Sequence, residues 1–272
     1  MGFIALSLTY DLISPPFENP DEINHAEYAA FIAEHGRLPH LLTDCVRLSF
    51  HPPLYHALMA PIAWATHVDT EDVMVNHRLN PDYQSSHVIL LHDDPEETFP
   101  YSGRSRFVHI ARAMTVLLGA VVLIYTHKLV HLLTSDAGAA LVATVTVAAI
   151  PQLQYISASV NHDAMAAALA AAFIYYAVLL VHAPSLLLGV LAGAVLGAAL
   201  LVKSSLLVLS PLPFALWLIH TNRQHARVAP VVITSYAVAV TIAGWWYVSK
   251  QCSGVTCFRL CVSAKARGLA TT

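Results

Sequence analysis

Charge is what this chain has least of. Asp, Glu, Lys and Arg make up 11% of its 272 residues, where an ordinary soluble domain carries about 25%. A domain kept in water by its own surface is therefore excluded. No excess of either sign is present: 14 Lys and Arg face 17 Asp and Glu, for a formal net charge of -3. That balance gives nucleic acid no footing as a partner. Cysteine is scarce too, and Cys252, Cys257 and Cys261 fall in the tail without metal-ligand spacing. The N-terminus lacks the positive region and small-residue cleavage site of a signal peptide. No internal repeat is visible, which weighs against an inverted-repeat transporter.

Apolar sequence is what the chain has in abundance. Hydrophobic residues reach 57%, and after residue 107 they come in blocks of about 17 to 25, the length that crosses ~30 Å of hydrocarbon. Helices are expected at 107–133, 137–156, 164–181, 185–202, 206–220 and 228–248. Residues 1–13 are apolar but too short to cross alone, and read as the outer half of a first span whose start is missing. The fold class is all-α, a polytopic transmembrane bundle of about six to seven spans in a single membrane domain, 1–248. Residues 249–272 form an atypical tail that reads as truncated or frame-shifted. The lipid bilayer is the first partner, and the localisation is the cell membrane.

Positive charge orients the bundle. Arg223, Arg227 and Lys128 set the cytoplasmic side, which sends residues 15–105 outward. The same orientation carries Asn161-His162-Asp163, Lys203-Ser204-Ser205 and Trp245-Trp246 outward. Arg104, Arg106 and Arg112 run against the rule. The polar oddities of the chain thus gather on one face.

The 15–105 segment is too long for a passive connection. Asn19-Pro20-Asp21-Glu22 predicts a helix from Pro20 to about His35, with Asn19 as N-cap, Glu22 completing a capping box and Gly36 as the stop. Leu54 to Ala65 predicts a second short apolar helix. Residues 69–105 are polar and read as a mobile loop.

The order of these pieces carries a resemblance. Pro20-Asp21-Glu22 with His25, Gly36-Arg37-Leu38-Pro39 and His51-Pro52-Pro53-Leu54-Tyr55 come first. Arg106 to Arg112, Ile150 to Asp163, Leu201-Val202-Lys203-Ser204-Ser205 and Gly244-Trp245-Trp246-Tyr247 follow. Together they resemble the GT-C superfamily of polytopic glycosyltransferases, which includes protein O-mannosyltransferases and the aminoarabinose transferase of lipid A. A nearer likeness is to a bacterial family of multi-pass proteins of unknown function placed beside it. The resemblance covers residues 1 to about 248, and the chain departs from the pattern at both ends.

The resemblance implies transfer of a sugar from a polyprenyl-phosphate donor to an acceptor on the outer face. Such a reaction needs a base for the acceptor hydroxyl and a counter-charge for the leaving phosphate. Asp21 matches the family's loop acid and is the implied base, with Glu22 as neighbour. His51 orients substrate or holds a metal. Lys203, Arg104 and Arg106 are the candidates for the phosphate, and Asn161 and Asp163 for the substrate cavity. The cofactor stays unassigned: a divalent metal would suit the phosphate, but the histidines show no zinc-pair spacing.

Plainer readings compete at each position. Acids in the first turn of a helix, such as Asp21 and Glu22, favour its macrodipole. His51 precedes a proline and is held extended by it. Asn161 and Asp163 open an Ala-rich helix and can serve as caps. Trp245 and Trp246 suit the interfacial belt. Lys203 would cost about 2.5–3.5 kcal/mol at mid-bilayer but little at the surface. A membrane transporter and a non-catalytic multi-pass protein stay open as alternatives.

Overall fold

The computed structural model describes residues 1–40, 43–74, 78–86, 88–218 and 222–251, and the expected tail from 252 onward lies outside them. The described residues form helices joined by turns and irregular segments, with no strand among them beyond one isolated antiparallel bridge between Leu79 and Leu90. The chain runs α1 (Gly2–Ile13), α2 (Glu22–His35), α3 (Leu54–Ala65), α4 (Thr70–Met74), α5 (Tyr83–Ser86) and α6 (Gly103–Thr134). It continues with α7 (Ala137–Ala148), α8 (Pro151–Ser157), α9 (Asp163–His182), α10 (Leu186–Leu200), α11 (Leu212–Leu218) and α12 (Asn222–Gln251).

Three helices among the described residues are long and apolar enough to cross a bilayer: Gly103–Thr134, Asp163–Leu180 and Val228–Ser249. A fourth span arises if α7 and α8 are one broken crossing. The sequence predicts one helix over 137–156. The structure has two, meeting at 65°, because Pro151 has no N–H to continue the ladder and instead opens the next helix at its first turn. The 206–220 helix is likewise split into a 3-10 turn at Ser204–Leu209 and the short α11. Leu186–Leu200 is apolar but short. The six to seven spans expected from hydropathy are therefore more than the three or four that meet the length.

Two layers of packing organise the bundle. In the first, α6 packs against α1, α7, α8 and α9, and α2 lies on α3. A core of Phe17, Ala26, Tyr55, Met59, Phe107 and Val160 joins the loop helices to α6 and α9. In the second, α10 is sandwiched against α9 and α12, with Phe173, Leu196, Ala239 and Trp246 buried between them. Gly189, Gly193 and Gly197 face α12. A β-carbon at Gly189 would come 2.7 Å from the Val231 carbonyl oxygen, and one at Gly193 would overlap that of Ser235.

The 15–105 segment folds onto the bundle. Its helix α3 spans the residues the sequence predicts, and Gly36 ends α2 in the left-handed region (φ 63°), donating its N–H to Ile32 O at 2.9 Å. The described parts of 69–105 are laced by side chains. Glu18 accepts the N–H groups of Ile89 (2.9 Å) and Leu90 (2.7 Å), and His92 bridges Glu18 and Glu97. Arg78 pairs with Asp93.

Candidate active site

The adjacent acids of the Asp21-Glu22 pair have opposite fates. Glu22 is fully buried and is held by Arg112 of α6 in a bidentate pair, Nε to Oε1 at 2.8 Å and Nη2 to Oε2 at 2.6 Å. It also accepts the backbone N–H of Val160 at 2.8 Å and of Phe17 at 2.9 Å. Arg112 spends its remaining donors on the carbonyls of Asp11, Ser14 and Pro15. All five guanidinium donors have acceptors, so a buried ion pair that would otherwise be costly is fully satisfied. Through Arg112, this carboxylate ties the end of α1, the start of α2, the N-terminal third of α6 and the α8–α9 turn.

Asp21 is exposed. It occupies the position before α2 in the left-handed region, φ 59° and ψ 4°, and makes no capping bond with its side chain. The expected capping box is absent: Asn19 Nδ2 donates to Glu22 Oε1 at 3.4 Å, and the helix starts at Glu22, not Pro20. Ion pairing with Arg112 outweighs capping for Glu22, since a hydrogen bond to a charged group is worth more than a neutral one. Asp21 Oδ1 keeps one bond, from Asn24 Nδ2 at 3.2 Å. Holding a residue at positive φ costs free energy, modestly for Asp, and here the carboxylate stays exposed at the start of the helix without capping it.

Around Asp21 the chain assembles four histidines. His25 lies one turn into α2, His56 in α3, and His162 immediately before α9; all three are buried. His51, half-buried, completes the group, its ring centroid 5.1 Å from that of His162. His25 Nδ1 is 2.9 Å from His56 Nε2, and His25 Nε2 is 3.1 Å from His162 Nδ1. Burial, reinforced by the neighbouring imidazoles, pushes the pKa of His25 and His56 well below the ordinary histidine value. Burial lowers His162 to about 4, against the opposing pull of Asp163 and Asp21. His51 is lowered by burial and by Lys203. These rings are neutral at pH 7.

The phosphate candidates separate. Lys203 Nζ pairs with Asp163 Oδ1 at 2.5 Å, both side chains about one third exposed. Asn161 Oδ1 accepts the Asp163 N–H at 2.8 Å and shapes the turn into α9. Lys203 reaches this place because Leu54 N–H donates to Leu201 O at 2.9 Å, docking the start of α3 on the end of α10. The Asp21, Asp163 and Lys203 charges all act on both His51 and His162, so these residues share one neighbourhood. Arg104 and Arg106 belong to another. Arg104 Nη2 pairs with Asp94 at 2.8 Å, and Arg106 Nε donates to Tyr101 O at 3.1 Å. A cavity of about 600 Å³ opens near that turn, between Leu12, Pro15, His92, Asp94, Tyr101 and His109, and none of the sequence's candidates lines it. Among the described residues, no three His, Cys, Asp or Glu side chains converge as a metal site.

His25, His162 and Arg112 lie in the quoted motifs, but the sequence assigns no site role to them or to His56. A signal existed for the first: Asp21 and His25 are four apart, one turn of a helix. Arg112 announced itself only as an exception to the charge rule.

A family model, dolichyl-phosphate-mannose-protein mannosyltransferase, matches residues 107–247. The chain belongs to that family. It is thus a multi-pass membrane protein of the GT-C glycosyltransferase type. No curated protein and no solved structure matches the chain. The matched stretch contains Arg112, His162, Asp163 and Lys203, while Asp21, Glu22, His25, His51 and His56 precede it.

Proposed function

We propose that this mannosyltransferase-family protein transfers a sugar from a polyprenyl-phosphate donor to a hydroxyl acceptor, with Asp21 as the base and loop 15–105 on the non-cytoplasmic side. The observation that carries this reading is the contrast within the acidic pair. Glu22 is locked in a buried ion pair, and Asp21 is held exposed beside His51, His162, Asp163 and Lys203.

In this mechanism Glu22 is a positioning residue. Its bonds to Arg112 and Val160 N–H set the turn that presents Asp21 and brings α9 beside it. Asp21, as a carboxylate, takes the acceptor's proton as the hydroxyl attacks the anomeric carbon. The bond from that carbon to the donor phosphate breaks, and Lys203 meets the negative charge left on the lipid phosphate. His51, neutral at pH 7, is an uncharged hydrogen-bonding partner for the acceptor. Asn161 and Asp163 line the same place. Arg104 and Arg106, engaged by the 94–101 turn, are left to a structural role.

The test is transfer from a labelled polyprenyl-phosphate sugar by the full chain in lipid nanodiscs. Label should reach a hydroxyl acceptor in the wild type. Lys203→Met should raise the KM for the donor more than it lowers kcat, as loss of a phosphate contact requires. Turnover with unchanged KM in that variant would remove Lys203 from the phosphate site.

A further inference from the structure

The three buried histidines form one file with two loose ends. His56 Nδ1 and His162 Nε2 are both buried and have no hydrogen-bond partner, while the inner nitrogens pair with one another through His25. A neutral imidazole carries one N–H. The whole file therefore has two arrangements. In one, each ring donates toward His162 and the last N–H emerges at His162 Nε2. In the other, each donates toward His56 and the last N–H emerges beside the Pro52 carbonyl.

Charge decides between them. His162 Nε2 stands 3.6 Å from the Asp163 carboxylate, with Asp21 also nearby. A bare lone pair there would face negative charge, whereas an N–H would face an acceptor. At the other end the competing pull is the neutral Pro52 carbonyl, which carries no charge. Bonds to charged acceptors are about twice as strong as neutral ones. The file therefore aims its N–H groups at Asp163.

Asp163 then has two claimants: Lys203 Nζ, which holds it at 2.5 Å, and His162 Nε2, which waits at 3.6 Å. We propose that His162 is a positioning residue that takes over the Asp163 carboxylate when Lys203 turns to the phosphate of the lipid donor. This rests on the reading of Lys203 as the phosphate contact. Without a second donor, freeing Lys203 would strand a carboxylate beside an incoming anion. With one, a shift of under about 1 Å gives Asp163 a bond of ordinary length and satisfies the buried Nε2. The groups facing His162 are His25, His51, Asp21, Asp163 and Lys203. Among the described residues, Lys203 is the donor that competes with it for Asp163.

The test uses the full chain in nanodiscs with ring nitrogens of histidine labelled for NMR, the His162 signal being identified by its loss in His162→Gln. The wild type should show His162 as the Nε2–H tautomer with a weak bond at that proton. In Lys203→Met the same proton should move strongly downfield, as Asp163 transfers to it, and should return in Lys203→Met/Asp163→Asn. A proton on His162 Nδ1 in the wild type, or an unmoved signal in Lys203→Met, overturns the handover. Polyprenyl phosphate added to the wild type should reproduce the Lys203→Met shift. A shift in the variant with none on adding the lipid would support the handover and contradict the phosphate reading of Lys203. As a functional check, His162→Phe should raise the KM for the donor roughly tenfold to a hundredfold, the scale of one hydrogen bond to a charged group, and His162→Gln should recover most of it. An unchanged KM in His162→Phe would count against the proposal.

Discussion

The junction of α2, α6 and α9 and the seam between α10 and α12 are both closely packed, but by opposite means. The junction is polar: Glu22 and Arg112 are both 0% exposed on their side chains, and a file of three histidines lies beside them. The seam is built of small residues, with Gly189, Gly193 and Gly197 letting α10 approach the α12 backbone. Even its buried Ser235 is satisfied within its own helix, donating to Val232 O at 2.7 Å. Within lipid there is little hydrophobic drive between helices, so close approach of backbones does the work. The junction must fix an irregular turn, and directional bonds do that. The seam holds helices together. The junction holds a particular geometry.

Removing the charge of Glu22 should have the largest effect on this contrast. Glu22→Gln takes the bidentate charged partner from buried Arg112 and leaves only the Asp11 carboxylate at 3.7 Å as counter-charge, a loss of up to about 3–5 kcal/mol. Thermal unfolding in nanodiscs should show a drop in Tm, and Arg112→Met should drop it comparably. If Glu22→Gln melts like wild type, the junction is not the polar clamp described.

Acid should discriminate next. His162 has a folded pKa of about 4 against about 6.5 in an unfolded chain. Between these values the unfolded state binds the proton and the folded state does not. The stability this provides is present above pH 6.5 and is lost as pH falls toward 4, on the order of 3 kcal/mol from this ring. His25 and His56 act in the same direction. Unfolding followed from pH 7.5 to 4.5 should show this decline in the wild type, and His162→Gln should lessen it, leaving the share of His25 and His56.

The seam should break sterically instead. Gly193→Val would drive a side chain into the Ser235 backbone, which cannot move aside. A loss of about 1–3 kcal/mol is expected, with no change in the acid response. A seam that tolerates Val would show that α10 and α12 are less closely set. The smallest effect belongs to the surface. Arg37 and Asp44 form a bidentate pair at 2.6 and 2.9 Å with Arg37 half exposed, and Arg37→Ala should leave the melting curve close to that of the wild type.

Much of this was legible in sequence, and the exceptions have physical causes. Apolar blocks announced α6, α9 and α12, since a spanning helix must be long and uncharged. The α3 limits and the Gly36 stop were local signals and needed nothing distant. The break at Pro151 was missed because apolar composition continues straight through it. For the candidate site, Asp21, His51, Asn161, Asp163 and Lys203 come together, while Arg104 and Arg106 lie elsewhere. Glu22 was paired with Asp21 as chemistry because the two are adjacent. What separates them is an ion pair to Arg112, ninety positions away, and no local pattern contains it. The histidine file joins residues 25, 56 and 162 through the same kind of long-range closure.

The central claim is that the two adjacent acids divide their work, one holding the turn and the other meeting substrate. The most direct measurement is sugar transfer from a labelled polyprenyl-phosphate donor by Asp21→Asn, run beside its melting curve in nanodiscs. Loss of the base should lower kcat by about 10²- to 10⁴-fold while Tm stays within a degree or two of wild type. Transfer that survives undiminished in Asp21→Asn would contradict the account.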